Sequence, residues 1–173
     1  MFINMLIILV FVSKSLYIHV VFKHINMILD NKDRNILNEL MENSRQSYRQ
    51  IAKKVGVSVA TVMHKVNRMK KEGVIESFTT KVNYDKLDYD IHVLIDVRIS
   101  KGRLFEIEGK VAKNNNVYAV YDNTGHFDAT ILAKFKNRSL MDAFLKKLQT
   151  HDFVERTETK LILSTIKDDF IKV

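Results

Sequence analysis

Thr61, His64, Lys65 and Arg68 bring a hydroxyl, an imidazole and two cations into eight consecutive residues. They lie in the run SVATVMHKVNRMKKEGVI, Ser58 to Ile75. Val62, Val66 and Met69 recur there at i, i+4 and i+7, which predicts a helix with a thin apolar stripe. Ser58 is placed to cap it and Gly73 to close it. The opposite face is built of bases and hydrogen-bonding groups, where Glu and Lys alone would secure solubility. Such a face suits an anionic, hydrogen-bonding surface.

Catalysis finds less support. The chain has 173 residues, 46% of them hydrophobic and 28% charged, with no Cys and no Pro. Absence of Cys removes disulfides, thiolate zinc sites and cysteine nucleophiles. It also suits a reducing interior, so a cytoplasmic location is expected. Gly is scarce at five, and no G-x-G-x-x-G or G-x-x-x-x-G-K run occurs. The six His are scattered without metal-ligand spacing or a Ser/His/Asp arrangement. His126 and Asp128 come nearest to an acid–base pair, but a turn His is more often simply exposed. We therefore expect no enzyme, no catalytic residue, no metal and no cofactor.

Charge localises the interaction surface. The net charge is +8. Residues 27–75 hold ten Lys/Arg against five Asp/Glu, whereas residues 83–173 hold fifteen against fourteen. A polyanion is the natural partner for that first segment.

Elements that would position this face follow from periodicity. Asn31 to Glu42 reads as a helix with Ile36, Leu37 and Leu40 inward and Asp30 as N-cap. Ser47 and Gln50 have capping-box spacing for a second helix, with Ile51 and Val55 inward. Gly56 suits the left-handed position after it. Helix, short turn, helix is the spacing of helix-turn-helix. IESFTTKV, Ile75 to Val82, reads as an extended wing or connector. The period then becomes 2: Ile91, Val93, Ile95, Val97 and Ile99 alternate as one strand. A helix is expected over Arg103 to Lys113, with Leu104, Ile107 and Val111 inward. VYAVYD and DATILAKF are strands joined by a hairpin-type turn at Asn123, Thr124 and Gly125. Ser139 with Asp142 predicts a further capped helix, and ETKLILSTI a final strand. The order β-α-β-β-α-β is the ferredoxin-like plan. The fold class is thus α+β, with an N-terminal helix-turn-helix at 27–75, a linker strand at 76–82 and a ferredoxin-like βαββαβ domain at 83–173.

Apolar residues also stand at the other parity: Leu94, Tyr118, Val120, Leu132, Ile162 and Ile166. Helices cover only one sheet face, so the second would expose a large apolar patch. A homodimer buries it. Residues 1–26 form an apolar extension outside this plan. Phe2 to Val12 is too short to span a bilayer, and Lys14 interrupts a longer run. We read Met27 as the functional start, with a membrane anchor as the lesser reading.

The quoted runs resemble the Lrp/AsnC (leucine-responsive/asparagine-responsive) family of transcription regulators. The likeness covers Leu29 to about Ile166. It implies a winged helix-turn-helix, a dimerising domain often called RAM, frequent assembly to tetramers or octamers, and often an amino-acid effector. By that resemblance Ser58, Ala60, Thr61 and His64 reach bases from the recognition helix. Lys65 and Arg68 reach bases or phosphates, Arg being the commoner guanine reader. Ser47 and Arg49, with Arg45 and Lys53, would contact the DNA backbone. The G-x-x-D turn, Gly125 to Asp128, would hold an effector: Thr124 and Gly125 for the carboxylate, Asp128 for the ammonium, with Thr157 and Thr159 nearby. His126 departs from the acidic or amide residues common there and disfavours a cationic effector. The function implied is a sequence-specific DNA-binding regulator modulated by a small amino-acid-like effector. The alternative is a small-molecule-sensing or membrane-tethered ferredoxin-like binding protein without specific DNA readout.

Overall fold

The computed structural model describes residues 28–100, 103 and 105–173. The apolar extension, Met27 and Leu104 lie outside the described residues. Two compact units divide at Thr79/Thr80, with Phe170–Val173 grouped with the first.

In the first unit, α1 (Asn31–Glu42), α2 (Tyr48–Val55) and α3 (Val59–Lys71) pack together. Each opens on a side-chain cap, which satisfies N–H groups that a helix leaves without partners. Asp30 accepts from the Asp33 N–H at 2.7 Å, and Asp33 reciprocates from the Asp30 N–H at 3.0 Å. Ser47 and Gln50 form the second reciprocal box. Ser58 Oγ accepts from the Thr61 N–H at 3.0 Å. Gly56 ends α2 at φ 71°, where a Cβ would be strained. The core joins Ile36, Leu40, Ile51, Ala52, Val62, Val66 and Met69. At the chain's end Asn38 Nδ2 donates to the Val173 carbonyl at 2.7 Å, and the Val173 N–H donates back at 3.0 Å.

Residues 76–83 carry no regular secondary structure, contrary to the expected linker strand. An extended run does not make a strand on its own, because its backbone groups need a neighbouring strand to bond.

In the second unit a short 3-10 turn (Tyr84–Leu87) precedes β1 (Ile91–Ile99), α4 (Phe105–Lys110), β2 (Val117–Asp122), β3 (Ala129–Phe135), α5 (Arg138–Gln149) and β4 (Val154–Leu161). The sheet order is β2-β3-β1-β4, antiparallel throughout. This is the ferredoxin-like arrangement. The odd residues of β1 face a core shared with Val111, Ile131, Phe135, Phe144, Leu148 and Phe153.

Several local expectations move. β4 lies over 154–161 rather than starting at Glu158, because its ladder with β1 already begins at Val154↔Ile99. Asn137, not Ser139, caps α5 by accepting from the Leu140 N–H at 3.0 Å. A bulge in β2 between Val117 and Ala119 switches the parity, so Val120 pairs with Ile131 and packs in the core. Ile166 follows the end of β4 and is exposed.

Leu94, Leu132, Tyr118 and Tyr121 remain on the face away from the helices, with Tyr118 hydrogen-bonded to His92. A polar row crosses this apolar ground. Lys160 Nζ donates to Asp96 Oδ2 at 2.7 Å, and Thr130 donates to Oδ1. Burial pushes the Asp96 carboxyl up, but the bonds from Lys160 and Thr130 outweigh it and hold it below its ordinary range.

Candidate nucleic-acid interface

At 3.6 residues per turn, each residue advances about 100° around α3. With Val62, Val66 and Met69 setting the inward direction, Ala60, His64, Asn67 and Lys71 fall on the far side. Ala60, His64 and Asn67 are exposed, as are Val59 at 44% and Met63 at 50%. Lys70 and Lys71 are exposed in the last turn. There they face the partial negative charge of the helix C-terminus.

The other flank turns toward α1. Lys65 lies only about 60° from the inward direction, and its side chain is 12% exposed. Its Nζ donates to Asp30 Oδ2 at 2.7 Å and to Asp33 Oδ1 at 2.9 Å. Arg68 Nη2 donates to Asp33 Oδ2 at 2.7 Å. Asp33 itself is fully buried. A buried carboxylate is tolerable only where cations and N–H groups meet it, and here three donors do. Lys65 holds Asp30 down at about 2, by its hydrogen bond first and the Asp33 N–H second. Burial works against the Lys65 ammonium, yet its bonds to Asp30 and Asp33 raise it above its ordinary range.

The residues assigned to the interface therefore separate. Ala60 and His64 stand on the exposed stripe. Ser58 and Thr61 are engaged in the cap, their hydroxyls 2.8 Å apart. Ser47 is exposed, with its hydroxyl bonded to Gln50 Oε1 at 2.9 Å. Arg49, Arg45 and Lys53 are exposed. Lys65 and Arg68 are committed to Asp33, and Arg68 Nε is buried without a partner. Sequence reasoning passed over Met63 and Asn67, whose angular position was available. It also missed Asp33, whose pairing with α3 joins residues 32 and 35 positions apart.

In the second unit, Thr124 and Gly125 are exposed on the loop between β2 and β3, with Gly125 at φ 120°. Asp128 is structural there: its Oδ2 accepts from the Ile99 N–H at 2.8 Å, beside the β1 bulge. Thr157 accepts from Gln149 Nε2 at 3.0 Å. Thr157 pairs with Val97, which pairs with Ala129, so β1 separates the loop from Thr157 by roughly 10 Å. Thr159 sits two pairs further in, opposite Ile95. One protomer brings these residues to one end of the sheet but not into contact.

A helix-turn-helix whose third helix exposes one stripe, followed by a ferredoxin-like domain, is the architecture of a two-domain DNA-binding regulator. Comparison with known proteins agrees. Residues 29–76 match a winged helix-turn-helix DNA-binding model, and residues 92–171 match the Lrp/AsnC ligand-binding domain. An HTH-type transcriptional regulator of Pyrococcus furiosus is 41% identical, over 83% of this chain and 97% of its own. The regulatory protein AsnC of Escherichia coli K12 is 33% identical over 80% of this chain and 92% of its own. The solved structure of E. coli AsnC superposes with a TM-score of 0.79 at 31% identity, covering 84% of this chain and 99% of that one. A Neisseria meningitidis regulator solved with L-Met has the same fold, with a TM-score of 0.78 at 21% identity over 82% of this chain and 94% of that one. The chain belongs to the Lrp/AsnC family of transcription regulators. That is a family of DNA-binding regulators, not enzymes.

Proposed function

We propose that the protein binds a pseudo-palindromic DNA site as a dimer, with α3 of each copy in the major groove. The exposed stripe of α3 carries this reading. Ala60 and His64 face base edges, while Ser47 and Arg49 at the start of α2 meet the backbone with Arg45 and Lys53. Ser58 and Thr61 hold the helix start that enters the groove. Leu94, Leu132, Tyr118 and Tyr121 supply the apolar ground for pairing two sheets. Dimers formed this way can assemble further into tetramers or octamers, and the protein acts in the cytoplasm. Among the described residues no helix is long and apolar enough to cross a membrane.

The test is footprinting on DNA upstream of the protein's own gene, across a range of salt. Half-sites spaced by about 34 Å or a multiple, with affinity falling steeply in salt, are expected. Salt-independent binding, or no protected site, refutes the proposal.

The effector reading rests on the exposed loop at Gly125, φ 120°, where the missing Cβ lets a ligand approach the loop N–H groups. Thr124 and those N–H groups take an α-carboxylate, and Asp128 pairs its charge with the ammonium. Thr157 and Thr159, across β1, complete the site only if the ligand or a second copy spans the gap. Calorimetry with the common amino acids on wild type and Asp128→Asn tests this, because Asn keeps an oxygen for the Ile99 N–H and loses only the charge. Binding that Asp128→Asn leaves untouched defeats the assignment.

A further inference from the structure

Arg and Lys are the usual readers of guanine, through its O6 and N7. On α3 the two cations in the middle of the helix both bond Asp33, Lys65 with its side chain only 12% exposed and Arg68 through Nη2 with its side chain 40% exposed. What the middle and N-terminal turns present outward is nearly uncharged: Val59, Ala60, Met63, His64 and Asn67. Two chemistries remain on that stripe. An exposed carboxamide matches adenine, whose N7 accepts and whose N6 donates. Exposed apolar groups match the thymine C5-methyl, the one apolar feature of a major-groove edge. Asn67 follows Met63 by four residues and Ala60 by seven, so the three form one ridge along the helix. Val59 and Met63 are 44% and 50% exposed and lie outside the buried cluster of the domain. Lys70 and Lys71, one turn further on, are positioned for phosphate rather than for bases.

We infer that α3 selects A·T pairs, with Asn67 bonding an adenine and Met63 and Ala60 contacting thymine methyls beside it. The inference rests on the proposal that α3 enters the major groove and specifies what it reads there. His64 donates to a purine N7 of either kind and adds no preference of its own.

The experiment selects duplexes from a random pool with the full-length protein, then replaces single bases in the selected site. Each half-site is expected to contain consecutive A·T pairs. Replacing the contacted adenine by 7-deazaadenine removes N7 and should weaken wild-type binding roughly tenfold. The same replacement should leave Asn67→Ala binding unchanged. Replacing a contacted thymine by deoxyuridine removes one methyl and should weaken binding about threefold, with no effect on Met63→Ala. Both side chains are exposed, so each variant should melt with wild type, which circular dichroism checks. Selected half-sites rich in G·C, with discrimination lost in Arg68→Ala, overturn the inference but leave sequence-specific binding standing. A·T-rich sites whose sensitivity to the modified bases persists in the variants also overturn it. A pool that yields no preferred sequence overturns both the inference and the proposal beneath it.

Discussion

Replacing Asp33 by Ala should unfold the DNA-binding unit rather than weaken a DNA contact. The carboxylate is fully buried and bonds Lys65 Nζ at 2.9 Å, Arg68 Nη2 at 2.7 Å and the Asp30 N–H at 3.0 Å. Removing one member of a buried ion pair costs about 3–5 kcal/mol, because the other charge is left without a partner. Two observations place this case at the low end. Lys65 retains Asp30 at 2.7 Å, and the Arg68 side chain is 40% exposed and reaches water. Loss of the Asp30 N–H acceptor adds about 1 kcal/mol. The sum, about 4 kcal/mol, is most of the stability of a unit this small. Hydrogen exchange across 59–71 in the full-length protein, with urea unfolding beside it, reads the effect. Arg68→Ala should cost less, about 1 kcal/mol, and weaken binding equally on every sequence. Pairing the two substitutions should reveal a coupling of about 1–3 kcal/mol. Stability of Asp33→Ala within about 0.5 kcal/mol of wild type refutes the argument. So does an Arg68→Ala defect confined to one base pair.

Asp30 makes the same unit acid-sensitive. Its folded carboxyl titrates at about 2 against an ordinary 3.8, so its stabilisation is complete above about pH 4 and lost as pH falls toward 2. Urea unfolding at pH 5 and pH 3 should show this decline, and Asp30→Asn should flatten it. Arg49→Ala should lower affinity for all sequences alike and reduce the slope of log affinity against log salt by about 1. Gly56→Ala should cost about 1 kcal/mol in thermal unfolding, since φ 71° suits Gly alone. Asp128→Ala should cost about 1–3 kcal/mol by stranding the Ile99 N–H, while Asp128→Asn should cost less.

Local chemistry was readable from the sequence where it acts over a few residues. Asp30, Ser47 and Ser58 cap helices in the structure, Gly56 adopts the left-handed conformation, and Val62, Val66 and Met69 are buried together. What escaped depends on partners distant in the chain. A 76–82 strand needed a neighbour that the described residues do not supply. The β2 bulge, which moves Val120 into the core, is fixed by how β2 meets β3 and not by its own alternation. Lys65 and Arg68 read as free cations because Asp33 lies more than thirty residues away. The helical angle of Lys65 was a warning, since a residue so near the apolar direction rarely points at a partner molecule.

The division of α3 into two flanks also separates what can vary from what cannot. On one side, Lys65 and Arg68 converge on the buried Asp33 carboxylate, so loss of that carboxylate is the costly change and replacement of a single cation the cheaper one. Drift there is held back by the stability of the unit. On the other side, Ala60, Met63, His64 and Asn67 are exposed and lie outside the buried cluster of the unit, so their exchange should cost the fold little. A duplicated gene could therefore acquire a new set of targets by substitutions along one stripe, one at a time, without passing through an unfolded intermediate. Retargeting is open to gradual change while the scaffold that presents it stays locked.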